Sequence, residues 1–482
     1  MSDHERETRV EGEALLESMG YEQELNRGLS FFGNLSLTVS DITPTASLLV
    51  VGPVVIATAG TGSVWAYLIG CAIAMCVALC MGELGSMFPS AGGLYAIVTR
   101  VLGKPLGFVA LLDYIGQAIF LPASIAIGIG VYIGSLVDGV DTSAAAAVVM
   151  VVVTLLALLQ IKFNSGLTAV FLALELTVVV ILLVAGLVHI NQPLSILTHP
   201  VIADGNALSS VAAGAIVTAL ATAMFSVNGY DAAINWSEET AGSARQIGKA
   251  VVTAAAIGIT FELVPFVASV FGAQDLQGYL GSATPLTDLI GAAFGGTVVD
   301  IVTVGAIIAI LNACLAITLQ FARITWSSGR DRAWPGPVSD ALSRINRNGA
   351  PWVATLLIGG CATVLCIWSS LVTVVTFTAV LIITLYALIA ISSLVSRIRQ
   401  RELPRPFRMP LWPAPPVVAL AGVGLALSKQ KGSDLLIVAI IVVAGLAYYG
   451  PYLRRGGRYA ALDTSPEHQL DVLAAEGAVP PR

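Results

Sequence analysis

The chain has 482 residues, of which 56% are hydrophobic and only 11% are charged. Soluble domains carry about a quarter charged residues, so the composition excludes an ordinary soluble protein and predicts an all-α polytopic membrane protein. The apolar runs are continuous rather than alternating, which excludes a membrane β-barrel. The net charge is −6 and no basic arm is present. Nucleic acid is therefore not an expected partner, whereas the lipid bilayer is.

The charged residues are clustered, and the apolar stretches between them can cross a bilayer, which takes roughly 20 residues. These stretches predict about twelve transmembrane helices. The segments 1–28 and 456–482 are polar and are predicted to be cytoplasmic tails, the first without a cleavable signal peptide. The approximate limits of the predicted helices are 31–58, 63–88, 106–137, 143–161, 166–190, 208–238, 247–272, 297–327, 351–369, 371–395, 411–428 and 434–453.

The distribution of Lys and Arg sets the predicted orientation, because cytoplasmic loops carry an excess of these residues. With a cytoplasmic N-terminus, every Lys and Arg except Lys429 and Lys431 falls in a cytoplasmic segment. An error of one span would scramble this distribution, so it also supports the number of spans. We expect a multi-pass protein of the plasma membrane with both termini in the cytoplasm.

Two acidic polar segments, 38–45 and 225–231, interrupt apolar spans. Pro44 has no backbone donor, and Gly229 tolerates conformations that a helix does not use. A charged side chain such as Asp41 costs about 2.5–3.5 kcal/mol at mid-bilayer depth even on the lenient insertion scale. Broken helices at matching places in two halves of a membrane protein indicate a transporter binding site.

The remaining reactive residues show no enzyme-like pattern. The six cysteines lie in apolar runs without zinc-type spacing, and the four histidines are terminal or fall in a predicted outer loop. The sequence has neither a nucleotide-binding loop nor a Ser/His/Asp set within a cavity. We therefore expect no enzymatic activity, no metal site and no cofactor, and no soluble segment is long enough for the nucleotide domain of an ATP-driven pump.

Three motifs resemble those of one transporter family. Residues 82–95 (GELGSMFPSAGGLY) close the second predicted span, and 229–231 (GYD) with 237–240 (SEET) follow the second break. The basic run 328–335 (SGRDRAWP) follows the eighth span. Together these motifs resemble the amino acid–polyamine–organocation permeases, and most closely their amino acid/choline transporter branch.

This resemblance implies a LeuT-type fold, in which a five-plus-five inverted repeat with broken first and sixth helices is followed by two additional helices. The transport core is then 29–395, and 396–455 holds a cytoplasmic loop and the last two helices. The resemblance also implies secondary transport by alternating access, in which spans 1, 2, 6 and 7 move against a scaffold of spans 3, 4, 8 and 9.

The family usually has Gly-x-Gly at the first break, where free amides hold a substrate carboxylate at a half-helix N-terminus. Here Asp41 places a negative charge at that position, which favours a cationic group. Asp41 contacts substrate or ion, or caps the second half-helix, and the two roles are compatible. Asp231 either contacts substrate or holds the local backbone. The expected binding residues at the two breaks are Ser40, Asp41, Ile42, Thr43, Phe225, Ser226, Val227, Asn228, Gly229, Tyr230 and Asp231.

Outside the breaks, Gln117 in the third span is a candidate for lining the cavity. Glu175 lies inside the fifth span, where burial disfavours the charged form and suits a proton carrier. The alternative is a permanently neutral, hydrogen-bonded acid. The resemblance adds that some relatives have a lysine there whose ammonium replaces sodium. Asp41 and Asn312 are the other candidates for proton or ion coupling.

Three glutamates lie at predicted cytoplasmic ends, and we assign gating or structural roles to them: Glu83, Glu238 and Glu239. The sequence as a whole predicts a permease for an amino acid or a related small amine. We expect coupling to protons, with sodium as the alternative ion. Two other functions stay open: an obligate substrate–product antiporter for polyamines or other amines, and a transport-inactive amine sensor. The sequence does not fix the oligomeric state.

Overall fold

The computed structural model describes residues 29–454 except 91, 160–164 and 206, and the side chains of 165–169 are likewise outside the description. The two predicted tails and the basic residue Lys162 therefore lie outside the described residues. Most of the described chain is helical.

The first half of the chain contains helices that follow the predicted spans one to five. A π-helical turn, Ser47–Val51, and a 3-10 turn, Gly60–Gly62, interrupt the early part of this series. The α-helices are α1 (Phe31–Ile42), α2 (Pro44–Ala46), α3 (Gly52–Ala59), α4 (Ser63–Met87), α5 (Gly93–Leu102), α6 (Lys104–Leu136), α7 (Thr142–Leu158), α8 (Ser165–Val188) and α9 (Ser195–Thr198).

The second half repeats this pattern of long apolar helices joined by short ones. A 3-10 turn at Ser237–Glu239 and a terminal π-helical stretch at Tyr449–Arg454 belong to it. The α-helices are α10 (Ala213–Ser226), α11 (Ala232–Asn235), α12 (Ala244–Gly272), α13 (Leu276–Gly281), α14 (Pro285–Phe294), α15 (Gly296–Arg330), α16 (Gly336–Leu342), α17 (Trp352–Trp368), α18 (Leu371–Arg399), α19 (Ala414–Leu427) and α20 (Gly432–Tyr448).

Within the described residues, seven helical stretches are long and apolar enough to cross a membrane. Each predicted apolar span also contains a helix, but α7, α10, α17 and α19 have only 14–17 residues. The structure thus agrees with an all-α polytopic membrane protein. The stretches that meet the length criterion are Phe31–Met87, Lys104–Leu136, Val170–Val188, Ala244–Gly272, Gly296–Arg330, Leu371–Arg399 and Gly432–Arg454.

The loop before α10 departs from a purely helical architecture. Strands β1 (Val201–Asp204) and β2 (Ala207–Ser210) form a short antiparallel hairpin, in which Val201 pairs with Ser210. The hairpin packs over the end of the first span, since the Val201 amide donates to Thr61 Oγ1 at 2.9 Å. The sequence analysis assigned the first residues of this hairpin to an outer loop and β2 to the start of the sixth span.

The long helices pack in two sets. In one set α4 lies against α12 and α10, and α12 also packs on α1. In the other set α6 lies against α7 and α15, and α17 packs on α7. Helix α8 joins the sets, because it contacts both α12 and α15. The interrupted segments near residues 43 and 229 lie between the sets.

Candidate substrate site

The first span is interrupted at Thr43, which adopts a left-handed conformation with φ +53°. A β-branched residue rarely adopts this conformation, so the interruption is imposed by its surroundings. Pro44 follows at the first position of α2, where its missing N–H is tolerated. The residue at the N-cap of α2 is Thr43 rather than Asp41, which lies in the last turn of α1. Asp41 therefore does not cap the second half-helix.

The second interruption lies between α10 and α11 and contacts the first directly. Gly229 has φ +113°, and a Cβ added to it would lie 2.8 Å from both the Asp41 carbonyl oxygen and the Ile42 amide nitrogen. Only a glycine allows two backbones to approach this closely. The two interruptions therefore form one site rather than two separate kinks.

A serine hydroxyl joins the two broken helices and satisfies carbonyl groups that they leave free. Ser47 Oγ donates to the Ser226 carbonyl oxygen at 2.6 Å and also lies 3.0 Å from the Ile42 carbonyl oxygen. Both carbonyls belong to helix ends, where the backbone has no helical partner. A buried carbonyl without a partner is costly, so Ser47 stabilises both interruptions.

A small cavity of about 30 Å³ lies between the interruptions and helices α6 and α15. This volume holds roughly two water molecules, so the cavity is small. Among the described residues that line it, two are acidic and none is Lys, Arg or His. The predicted site residues in its lining are Asp41, Ile42, Thr43, Gln117, Phe225, Ser226, Asn228, Gly229 and Asp231. The predicted residues Ser40, Val227 and Tyr230 lie outside it.

Asp41 is buried and is held by an amide that the sequence analysis did not single out. With its amide oriented to satisfy its neighbours, Gln320 of α15 donates to both Asp41 carboxylate oxygens at 2.9 Å. The Gln320 oxygen then accepts from Asn235 Nδ2 at 2.7 Å. A carboxylate at a helix C-terminus is disfavoured by the helix dipole, and Gln320 offsets this cost.

The second acidic residue of the cavity is held by a tyrosine of the opposite helix set. The Tyr114 hydroxyl donates to Asp231 Oδ2. Nearby, the Tyr386 hydroxyl donates to Asn228 Oδ1 at 2.8 Å, which ties α18 to the second interruption. Tyr230 points away from the cavity, and its hydroxyl lies 3.3 Å from the Ala74 carbonyl oxygen. Asp231 and Asn228 are therefore the polar groups that this interruption presents to the cavity.

A second cavity of about 110 Å³ lies toward the side of the molecule on which α1 begins. Its lining includes Trp236, Glu239 and Arg323, as well as Gln320, which also lines the central cavity. Arg323 donates to Glu239 at 2.7 Å, and its guanidinium lies 4.5 Å from the centre of the Trp236 ring. Gln320 thus lies between the two cavities, and the ion pair of Arg323 and Glu239 forms part of the wall of the second one.

Glu83 lies at the end of α4, where it is buried and bound to two arginines. Its carboxylate accepts two hydrogen bonds from Arg397, at 2.8 and 2.5 Å, and one from Arg405 at 2.9 Å. The Met409 amide donates to it at 2.9 Å. Burial lowers the pKa of Arg405, and the charge of Glu83 opposes that shift. These bonds tie α4 to α18 and to the loop that follows it.

The other predicted coupling and gating residues lie outside the central cavity. Glu175 of α8 is 1% exposed, and within the described part of the protein neither of its carboxyl oxygens has a hydrogen-bond partner. Its carbonyl oxygen accepts from Thr45 Oγ1 at 2.9 Å, so it lies beside α2. Asn312 is buried in α15 away from the cavity lining. Glu238 is buried in the 3-10 turn beside Glu239.

The sequence matches the family described as amino acid permease over residues 29–449. The branched-chain amino acid permease of Bacillus subtilis is 22% identical over 462 residues, which cover 92% of this chain and 96% of that protein. The methylthioribose transporter of the same organism is 21% identical, with 91% and 96% covered. Its serine/threonine exchanger is 24% identical over 412 residues, with 82% and 89% covered.

Proposed function

Because this chain belongs to the amino acid permease family of membrane transporters, we propose that it moves an amino acid or a related small amine across the plasma membrane. The proposed architecture has about twelve transmembrane helices. The first ten, within 29–395, form a five-plus-five inverted repeat, and α19 and α20 follow it. Both termini are cytoplasmic, and the second cavity opens toward the cytoplasm. Two proteins similar to this chain are named a branched-chain amino acid permease and a methylthioribose transporter, so the solutes of similar proteins are chemically diverse.

The observation that supports this function best is the direct contact between the two interruptions around an acidic cavity. Asp41 and Asp231 supply the negative charges, and no basic residue among those described lines the space. A cation in such a small space between buried side chains is attracted more strongly than it would be in bulk water. We propose that the substrate ammonium binds at Asp41, where it replaces the Gln320 amide as the partner of the carboxylate.

The proposed transport cycle moves one helix set against the other. Helices α4, α10 and α12 with the broken first span form the moving set, and α6, α7, α15 and α17 form the scaffold. Gln320 and Arg323 belong to the scaffold helix α15, while Asp41 and Glu239 belong to the moving set. Separation of the sets would break both contacts at once and connect the central cavity to the cytoplasm.

We propose that the transport cycle is coupled to protons, with Glu175 as a proton carrier. A fully buried carboxyl group with no hydrogen-bond partner is far less costly as the neutral acid than as an anion. Glu175 lies beside α2 of the moving set, so movement of that set would change its access to water. Asp41 is a second candidate for this role, and Asn312 remains a candidate contributor to an ion site.

Thermal stabilisation of the purified protein by a panel of amino acids, polyamines, ethanolamine and choline tests the substrate class. A ligand that binds the native state stabilises it by about 2.7 kcal/mol when its concentration is 100 times its Kd. The melting temperature rises as a result. We expect at least one amine to stabilise the wild type, and Asp41→Asn to remove most of that effect. Asp300→Asn, which changes an exposed acid at the start of α15, is the matched control and should respond like the wild type.

A panel in which no amine stabilises the protein would contradict the proposed function. Stabilisation that is equal in the wild type and in Asp41→Asn would contradict the role of Asp41 alone. For the proton, uptake into proteoliposomes is measured together with acidification of their lumen. Glu175→Gln should lose substrate-dependent acidification, and normal acidification by this variant would contradict the role of Glu175. Exchange that ignores a pH gradient in the wild type would favour the antiporter alternative, and binding without any transport would favour the sensor.

A further inference from the structure

Another buried carboxyl group, Glu262 of α12, lies beside the second interruption. Its side chain is 0% exposed. Oε2 accepts a hydrogen bond from Ser226 Oγ at 2.7 Å, and the Ser47 hydroxyl also lies near the carboxyl group. Oε1 is buried and has no partner within hydrogen-bond geometry among the described residues. Most buried side-chain polar atoms have a partner, so an orphaned oxygen needs an explanation.

The partner of Glu262 connects it to the wall of the central cavity. Ser226 is the last residue of α10 and lines that cavity. Its hydroxyl also lies 2.8 Å from the Tyr67 hydroxyl of α4. Because Ser226 donates to Glu262, the Tyr67 hydroxyl donates to Ser226. The Tyr67 ring is fixed in turn by stacking on Phe266, with ring centroids 3.9 Å apart.

This chain of hydroxyl groups ends on a carboxyl group that has no counter-charge. Among the described residues, no Lys, Arg or His contributes to the electrostatic environment of Glu262. The titratable groups that sense its charge are neutral at pH 7: Tyr67, Cys71 and Tyr386. The acids on the other elements packed against α12, or adjoining those elements, are Asp41, Glu83, Glu175, Asp231, Glu238, Glu239 and Asp288. A negatively charged Glu262 would therefore be repelled by nearby acids and would have no cation among the described residues to pair with.

We propose that Glu262 is a proton-binding residue of the transport cycle, which senses the substrate cavity through Ser226. This inference rests on the proposed proton-coupled transport. In the closed conformation Glu262 is the neutral acid, and Oε2 accepts from Ser226. The neutral form removes the cost of an unpaired buried anion.

The proton is exchanged when movement of the set that contains α10 and α12 against the scaffold lets water reach the network. The O–H bond of Glu262 then breaks, the proton passes to a water molecule, and the carboxylate keeps the electron pair. The Ser226 hydroxyl strengthens its bond to the new anion, because hydrogen bonds to charged groups are about twice as strong as neutral ones. Protonation from water on the opposite side reverses the step. Ser226 thereby links the charge of Glu262 to the cavity wall.

The first test compares the wild type with Glu262→Gln, which mimics the neutral acid and can still accept from Ser226. Proteoliposomes are loaded at equal pH or with a gradient of one unit, and uptake of radiolabelled leucine, serine and putrescine is measured. A one-unit gradient can drive up to about tenfold accumulation for one proton per solute. We expect Glu262→Gln to lose this accumulation while its counterflow exchange stays within about twofold of wild type. Ser269→Ala, a buried polar change two turns further along α12, should keep the accumulation.

Retention of the full pH-driven accumulation by Glu262→Gln would overturn the inference. Failure of the wild type to accumulate any of the three probes would instead count against the proposed function. A second measurement does not need transport: infrared spectra of the substrate-free protein at pH 7 in wild type and Glu262→Gln. We expect a carboxylic acid band in the wild type that the variant lacks. Identical carboxylic acid bands in the wild type and in Glu262→Gln would overturn the inference. This comparison remains valid even if Glu262→Gln exchanges no solute.

Discussion

The closest approach of the two interruptions can be tested by adding a single methyl group to Gly229. In Gly229→Ala the new Cβ would lie 2.8 Å from two backbone atoms of the first interruption. Neither backbone atom can rotate away, because both belong to the end of α1. The φ of +113° is also unfavourable for alanine. The substitution should therefore strain the site and force the two broken helices apart.

Two terms add up to the expected loss of stability. A non-glycine residue in a sparsely populated backbone region costs of order 1–3 kcal/mol. Overpacking of a filled interior costs typically 1–3 kcal/mol. Together they predict that the free energy of unfolding falls by about 2–6 kcal/mol. If α10 is displaced to relieve the strain, the loss is smaller. Since the lining residues of the cavity come from both interruptions, displacement should also reduce transport more than tenfold.

The assay is the thermal unfolding midpoint of the purified protein, followed by uptake in proteoliposomes. Gly214→Ala provides the matched control, because Gly214 lies in the first turn of α10, the helix that leads into the second interruption, and an added Cβ there meets no atom within 4 Å. It should be neutral or stabilising by up to about 1 kcal/mol. Equal unfolding midpoints and equal uptake for the two variants would refute the argument that the helix interruptions are in contact.

Two further predictions concern the side on which α1 begins. Glu83→Gln leaves Arg405 buried beside a neutral group and should destabilise the protein by about 3–5 kcal/mol. Glu239→Gln, which breaks a more exposed ion pair, should cost about 1 kcal/mol or less. Similar unfolding midpoints for the two variants would contradict this ranking. Arg323→Gln removes the ion pair and the ring contact across the second cavity, worth roughly 1–2 kcal/mol together. With a cysteine placed at Ile324, Arg323→Gln should therefore raise the rate of maleimide labelling about 5–30-fold. An unchanged labelling rate would show that Arg323 does not close the second cavity.

The membrane class and the interrupted spans could be predicted because each has a strong local signal. Long apolar runs can hardly fold except as buried or membrane helices. Asp41, Pro44 and Gly229 are residues that a lipid-facing helix excludes, so their positions indicated the interruptions that the structure contains at Thr43 and between α10 and α11. The site residues named from these segments still await a functional test.

The partners across the site could not be predicted, because they depend on which helices meet. Gln320 stands in an apolar run of α15 like Gln117 in α6, and nothing local identifies one of them as the partner of Asp41. Glu262 was visible as an acid in an apolar span, but its link to Ser226 requires the last residue of α10 to lie beside α12. The β1–β2 hairpin was missed because four-residue strands carry too little pattern to stand out from a loop.

Among the described residues, Gln320 is the one that lines both cavities, so its side chain forms part of the partition between them. Side-chain rotations belong to a faster class of motion than the collective rocking of helices, which takes microseconds to milliseconds. Water and protons could therefore cross this partition several times during one turnover, whereas a solute must wait for the helices to separate. In the proposed orientation, the cytoplasmic pH would set the protonation of the central cavity before each substrate arrives. The protein would then discriminate between protons and solutes by the rate of the motion that each requires as well as by size.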